Sequence, residues 1–281
     1  TDREAAEAVK FMETNKDRPF FIYLPHYAVH TPIAGKPEVI DQYKAKVQAD
    51  ATLKQRNAAY AALVSSVDDA LGTIRANLRR LKLEDNTVIF FTGDNGGLLP
   101  ITENSPYRAG KGSAYEGGVR VPLVALWPGV TKPGTVEATP AITLDLYPTI
   151  LEMTGIKSLA AQVDGRSLAP VLRGGKLDRD AIYWHYPHYH PGGATPYSAI
   201  RHGDFRLVHF YEDDRDELYD LAQDIGETKN LAATQPEKAK ALRTQLDAWL
   251  KSVDAQFPTA NPNYDPTPAK AKAPAVKKAA K

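Results

Sequence analysis

Apolar positions along the chain recur at two periods. Ala5, Ala8, Val9 and Met12 keep helical spacing, and Thr1 with Glu4 can form a capping box, so the opening segment predicts an amphipathic helix ended by Asn15 to Arg18. PFFIYLP, residues 19–25, is a short aromatic-rich apolar run between prolines and reads as a buried strand. The HYAVHTPIAGKP that follows reads as loop. Tyr60, Leu63, Val64, Val67, Leu71, Ile74 and Leu78 predict a long helix from about Leu53 to Leu81, packed by that face. TVIFF (87–91) and VPLVALW (121–127) predict two further buried strands. Helix alternating with strand implies an α/β sheet.

TLDLYPTILEMTG predicts another helix stopped by Gly155, and after it the texture changes to short strands and turns. A final helix is expected from near Thr234, where Thr234 and Glu237 can form a capping box, with Leu242, Leu246, Trp249, Leu250 and Val253 as its buried stripe. The resulting division is residues 1–165, residues 166–256 as a small α+β unit of antiparallel strands and a last helix, and a Lys/Pro/Ala-rich tail over 257–281. That tail has too few large apolar groups to offset ordering entropy and is expected to be disordered. Internal repeats are absent. Because the chain opens with Thr1 and runs directly into a helical pattern, its natural N-terminus is expected upstream.

Composition narrows the functions. The 281 residues are 43% hydrophobic and 25% charged, enough for one large or two smaller globular units. With 35 basic against 34 acidic residues, no excess charge calls for a nucleic-acid partner. The complete lack of cysteine removes disulfides, thiolate metal sites and Cys nucleophiles from these residues. No apolar run reaches the roughly 18 residues of a membrane-spanning helix, so membrane insertion is not expected.

Three segments carry candidate chemistry. In TVIFFTGDNGG, Asp94 and Asn95 follow a strand at its carboxyl end, where open α/β sheets place ligands; both offer hard oxygens suited to Ca²⁺ or Mg²⁺. An ordinary Asp-Asn-Gly turn is the competing reading. In SPYRAGKGSAYEGGVRVPLVALWPG, Lys111 lies between glycines just before a strand, from which an ammonium can reach an oxyanion; a solvated surface lysine is the alternative. Glu116 and Arg120 read as partners holding the loop around it. His30, in HYAVHTP, follows its strand as Asp94 follows another, and an imidazole there can bind an oxyanion or protonate a leaving oxygen, with His26 competing for the role. Asp68 and Asp69, adjacent on a helix, read as a solvated face. His185, His188 and His190 alternate with aromatics and read as a substrate rim, a metal site or plain structure.

Taken in order, PFFIYLPHYAVHTP, TVIFFTGDNGG and YRAGKGSAYEGGVRVPLVALWPG resemble the type I sulfatases, the arylsulfatase-like, formylglycine-dependent branch of the alkaline phosphatase superfamily, and weaker family-like text continues through DGRSLAPVLRG and LYDLAQDIGETKNLA. The resemblance implies an alkaline-phosphatase-like α/β sandwich, its central mixed sheet incomplete here, plus a small C-terminal α+β subdomain. It also implies sulfate-ester hydrolysis, with Asp94 and Asn95 as calcium ligands, Lys111 binding the sulfate ester and His30 beside it; His185 is a further substrate-binding candidate. The family's aspartate pair and its Cys/Ser-x-Pro-x-Arg formylglycine site are not found in the sequence and are expected in an N-terminal segment of the same protein, which leaves this chain alone without turnover. The implied substrate is a small sulfate ester or sulfated sugar, and the implied setting is periplasmic, secreted or lysosomal. A phosphoester or phosphonate hydrolase of the same superfamily, and a catalytically silent chain binding sulfated glycan, are the alternatives.

Overall fold

The computed structural model describes residues 1–157 and 163–264; most of the expected tail lies outside the described residues. Three helices form the N-terminal part. Helix α1 (Asp2–Asn15) buries Ala5, Ala8 and Met12, and α2 (Pro37–Ala49) follows the loop, in a stretch for which the sequence pattern predicted no element. Pro at its first position and Glu38 in its first turn favour α2 locally. Both pack on α3 (Ala58–Arg80), whose Asn57 side chain accepts from the Tyr60 N–H at 3.0 Å and so caps the helix start. The face α3 presents to them is Ala62, Ser66, Ala70 and Leu78, rotated from the expected stripe; Val64 is exposed and Leu63, Val67, Leu71 and Ile74 are half-buried. Small residues win the contact because they let helix axes approach closely.

Residues 19–25 correct the first strand prediction. The segment alternates half-buried and exposed side chains as a strand would, but no strand pairs with it among the described residues, and Phe21 and Tyr23 are 65% and 79% exposed. Local sequence can extend a backbone; only a neighbour makes it a strand. The capping boxes also fail. Thr1 makes no side-chain cap bond, and Thr234 Oγ1 donates instead to the Leu231 carbonyl while the last helix starts at Pro236.

Strand β1 (Ile89–Thr92) pairs antiparallel with β2 (Leu123–Leu126), Phe90 opposite Ala125. This pair is less buried than its composition implies, since Phe91, Leu123 and Val124 remain exposed. Between the two strands lies the loop that ends in the single-turn helix α4 (Glu116–Val119). Helix α5 (Leu146–Thr154) ends as expected at Gly155, which takes the left-handed conformation at φ +69°. The buried Asp145 just before it accepts from Ile142 N, Arg166 N and the Arg179 guanidinium, tying α5 to the segment that enters the next sheet. Helix α6 (Ala169–Leu172) is a single turn.

The C-terminal part is a four-stranded antiparallel meander, β3 (Ala181–Tyr186), β4 (Tyr197–His202), β5 (Phe205–Phe210) and β6 (Arg215–Asp220), followed by α7 (Pro236–Ser252). Strand alternation gives the sheet two apolar faces. Ile200, Leu207 and Leu218 face α7 and bury Ala239, Leu242, Leu246 and Leu250, with Trp249 stacked on Tyr183 at 4.6 Å. Ala199, Val208 and Phe210 face the other way, onto Ala114 and Tyr115 of the loop between β1 and β2. The sheet is therefore the floor on which that loop rests.

Candidate functional site

The turn after β1 and the loop before α4 are threaded through each other by main-chain bonds. Gly96 N–H donates to Gly118 O at 3.0 Å, and Lys111 N–H donates to Gly97 O at 3.0 Å. Asn104 braces both sides, accepting from Gly97 N–H at 3.2 Å and donating to Gly97 O at 2.8 Å and Ala109 O at 3.1 Å. The approach is so close that a Cβ on Gly96 would lie 1.7 Å from Gly117 O, which only glycine permits. Asp94, Asn95 and Lys111 are thus brought into one locality by their backbones.

Within it, Asp94 Oδ1 accepts from Asn95 N–H at 2.9 Å and Asn95 Nδ2 donates to Gly96 O at 3.0 Å. These bonds join only neighbouring residues and leave Asp94 Oδ2 and Asn95 Oδ1 without a protein donor among the described residues. Two free oxygens on adjacent residues suit part of a hard-cation shell, which takes about 6 to 8 oxygens. Among the described residues, no group of three or more His, Asp or Glu side chains is gathered to hold a metal ion. The donor set here fits a share of such a shell and no more.

Lys111 is half-buried, with no carboxylate within ion-pair distance of its ammonium among the described residues. A partly desolvated cation without a counter-ion attracts an anion. Next to it Gly112 adopts φ +77° and its carbonyl accepts from Ala194 N–H at 2.9 Å, while the His190 ring lies where a Gly112 Cβ would stand. The β3–β4 loop, with the exposed His188 and Tyr189, therefore borders the lysine loop.

The remaining candidates separate. His30 contacts only its own turn, its Nδ1 2.9 Å from Thr31 O and its ring against Tyr27; Nδ1 thus carries the hydrogen and Nε2 stays open. His26 turns to α1, its Nδ1 2.8 Å from Glu4, a contact that holds the Glu4 carboxyl below its ordinary value. Both nitrogens of His185 are occupied, Nδ1 by the Ser198 hydroxyl at 2.7 Å and Nε2 by Gln256 O at 2.7 Å, with Tyr211 and Phe257 against its ring. Asp68 and Asp69 are exposed. Glu116 and Arg120, expected as partners in the loop around Lys111, pair at 3.1 Å.

The sequence profile described as Sulfatase matches residues 1–156, and that described as N-sulphoglucosamine sulphohydrolase, C-terminal, matches residues 110–256. The chain belongs to the sulfatase family. A sulfatase of Formosa agariphila is 39% identical over 259 residues, covering 83% of this chain and 46% of that protein. The solved structure of Ps i-CgsB in complex with k-i-k-neocarrahexaose superposes with a TM-score of 0.78 at 30% identity, over 92% of this chain and 56% of that one. That of BT4656 in complex with its substrate D-glucosamine-2-N,6-O-disulfate gives a TM-score of 0.59 at 30% identity, over 70% of this chain and 40% of that one. This chain spans about half the length of the curated relatives it matches. The α/β fold is that of the sulfatases, and among the described residues no helix is long and apolar enough to cross a membrane.

Sequence reasoning missed the charged cluster beneath the lysine loop. Arg206 and Glu227 are fully buried, and Arg206 shares its strand face with Val208 and Phe210. A charge inside an alternating apolar stripe was the available signal.

Proposed function

We propose that this chain contributes the anion-binding lysine and part of the cation shell to a sulfatase that hydrolyses a sulfated sugar. The observation carrying the proposal is Lys111, a half-buried cation without a counter-ion among the described residues, bonded through its backbone to the turn that presents Asp94 and Asn95. Both matching profiles bear sulfatase descriptions, which leaves the phosphoester and glycan-binding alternatives without support. The two structural relatives named with sugars favour a saccharide ester over an aryl one.

In this reading the Lys111 ammonium clamps a sulfate oxygen and stabilises the charge that grows there. Asp94 Oδ2 and Asn95 Oδ1 would hold calcium, which supplies further charge for the sulfate oxygens when bound. His30 donates the leaving-group proton when its ring is charged, a role that requires it to approach the ester from its own turn. The nucleophile comes from residues other than these, since no cysteine and no Ser-x-Pro-x-Arg pattern occurs in the 281 residues. The setting is an exported or lysosomal one, following the family resemblance.

Two measurements test the reading. With calcium present, the 281-residue chain should bind inorganic sulfate yet show no multiple turnover of 4-nitrophenyl sulfate or glucosamine 6-sulfate. Sulfate affinity should fall about tenfold or more in Lys111→Met, as for loss of a charge-assisted contact. Equal affinity in the two proteins refutes the assignment of Lys111.

A further inference from the structure

Three points of the lysine loop are fastened to the C-terminal part by charged groups, of which Arg206 and Glu227 are fully buried. Arg206 Nη1 donates to Glu116 Oε1 at 2.7 Å, and its Nη2 donates to Ala114 O. Glu227, in the turn after β6, accepts from the Glu116 backbone N–H through Oε2 at 2.7 Å. Arg108 Nη1 donates to the Glu227 carbonyl at 3.1 Å and to the Tyr219 hydroxyl at 2.9 Å, with its guanidinium over the Tyr115 ring. Arg206 itself lies over Trp184 of β3.

Glu227 is costly to keep. It is fully buried, takes a left-handed backbone at φ +52°, and leaves Oε1 without a hydrogen bond, 3.8 Å from Arg206 Nη1. A non-glycine residue in that conformation, with a buried unpaired oxygen, persists where the surroundings over-determine it. What the surroundings gain is a fixed start for α4: the carboxylate stands at the first N–H of the turn and the carbonyl is gripped by Arg108 on the other arm of the loop. Lys111 lies between those two grips, and the loop crosses itself there through Gly117 N–H to Arg108 O at 2.9 Å.

We propose that Glu227, with Arg206 behind it, is a positioning residue for Lys111, setting the loop so that the ammonium meets the sulfate oxyanion. The inference rests on the reading of Lys111 as the sulfate-binding lysine. Glu227 touches no reacting group; it acts through the Glu116 N–H, and its reach matters more than its charge.

Reach and charge are separable in two variants. Glu227→Gln keeps the length and an acceptor for Glu116 N–H, whereas Glu227→Asp keeps the charge and withdraws the oxygen by one methylene. The assay is trace acetylation of the 281-residue chain by acetic anhydride with and without inorganic sulfate, read lysine by lysine in digests. Lys132 and Lys240, both exposed, report effects of reagent or sulfate that are not local to the loop, and urea midpoints of the three proteins report general loosening. In the wild type, sulfate should slow labelling of Lys111 and leave Lys132 and Lys240 unchanged. The Asp variant should lose that protection about fivefold or more, on the scale expected when a positioned charge moves by about 1 Å, and the Gln variant should stay within about threefold of wild type. Equal protection in all three proteins, or greater loss in Gln than in Asp, overturns the positioning role while sparing the reading of Lys111. A lowered urea midpoint in Asp with the sulfate protection of Lys111 unchanged assigns Glu227 to general stability and also overturns it. Absence of sulfate protection in the wild type overturns the reading of Lys111 and the inference together.

Discussion

Removing the Arg206 guanidinium tests how the lysine loop is held. In Arg206→Met the side chain volume is roughly kept, while the Glu116 and Glu227 carboxyls face each other without the intervening cation. Breaking one partner out of a buried pair costs about 3 to 5 kcal/mol, because the surviving charge stays desolvated. Here Glu116 retains Arg120 at 3.1 Å on its other oxygen, a half-exposed partner that offsets part of the loss, so the lower end, about 3 kcal/mol, is expected. For a chain of this size each kcal/mol moves Tm by about 2 to 4 °C, giving a drop of roughly 6 to 12 °C. Circular dichroism melts, checked against urea midpoints, supply the measurement. Pairing the change with Glu116→Gln removes the stranded charge and should return about 1 kcal/mol or more, a coupling expected only between groups in contact. A loss under about 1 kcal/mol for Arg206→Met, or simple additivity in the double variant, would refute the claim that this ion pair carries the loop.

Other perturbations have equally definite outcomes. Gly112 and Gly129 share a left-handed backbone, at φ +77° and +75°, but a Cβ meets the His190 ring at 1.9 Å in the first and open space in the second. Gly129→Ala should therefore cost only the conformational penalty of about 1 kcal/mol, and Gly112→Ala clearly more, with the extra seen as faster amide exchange across residues 188–194. Burial pushes the Glu227 carboxyl above its ordinary value, against the opposing pull of Arg206. A raised folded-state value means this group favours folding most below about pH 4.3, its unfolded value, and the contribution fades as pH rises through the folded value. The stability gap of Glu227→Gln relative to wild type should accordingly shift in favour of the variant on going from pH 4 to pH 8; a flat gap in urea titrations contradicts it. Leu246→Ala, at a fully buried position between α7 and the sheet, should cost about 2 to 5 kcal/mol, whereas Val253→Ala at an exposed position should stay within about 0.5 kcal/mol, both read from urea midpoints.

The candidate groups were legible because their signals are local. Asp94-Asn95 at the end of an apolar run, and a lysine between glycines ahead of another, are patterns of neighbouring residues, and the turn and loop that carry them are set by those same glycines. The last helix followed from its periodicity and α5 from its glycine stop for the same reason. Where prediction slipped, the deciding partner lay far along the chain. PFFIYLP has strand periodicity but no hydrogen-bonded neighbour, and α3 is packed through alanines because α1 and α2 approach that side. For His185 the sequence left rim, metal and structural readings open, and only the fold shows Ser198 and Gln256 on its two nitrogens.

The sequence by itself determined the family and the chemical identity of the candidate groups, since a motif is a run of side chains and survives without coordinates. Tertiary structure alone decided what those groups touch. It placed Arg206 and Glu227 under the lysine loop across 90 to 111 residues of chain, in contacts with Ala114 and Glu116. No spacing rule reaches that far: burial of a charge is set by the whole surface that closes over it, and its partner by which strand face that surface belongs to.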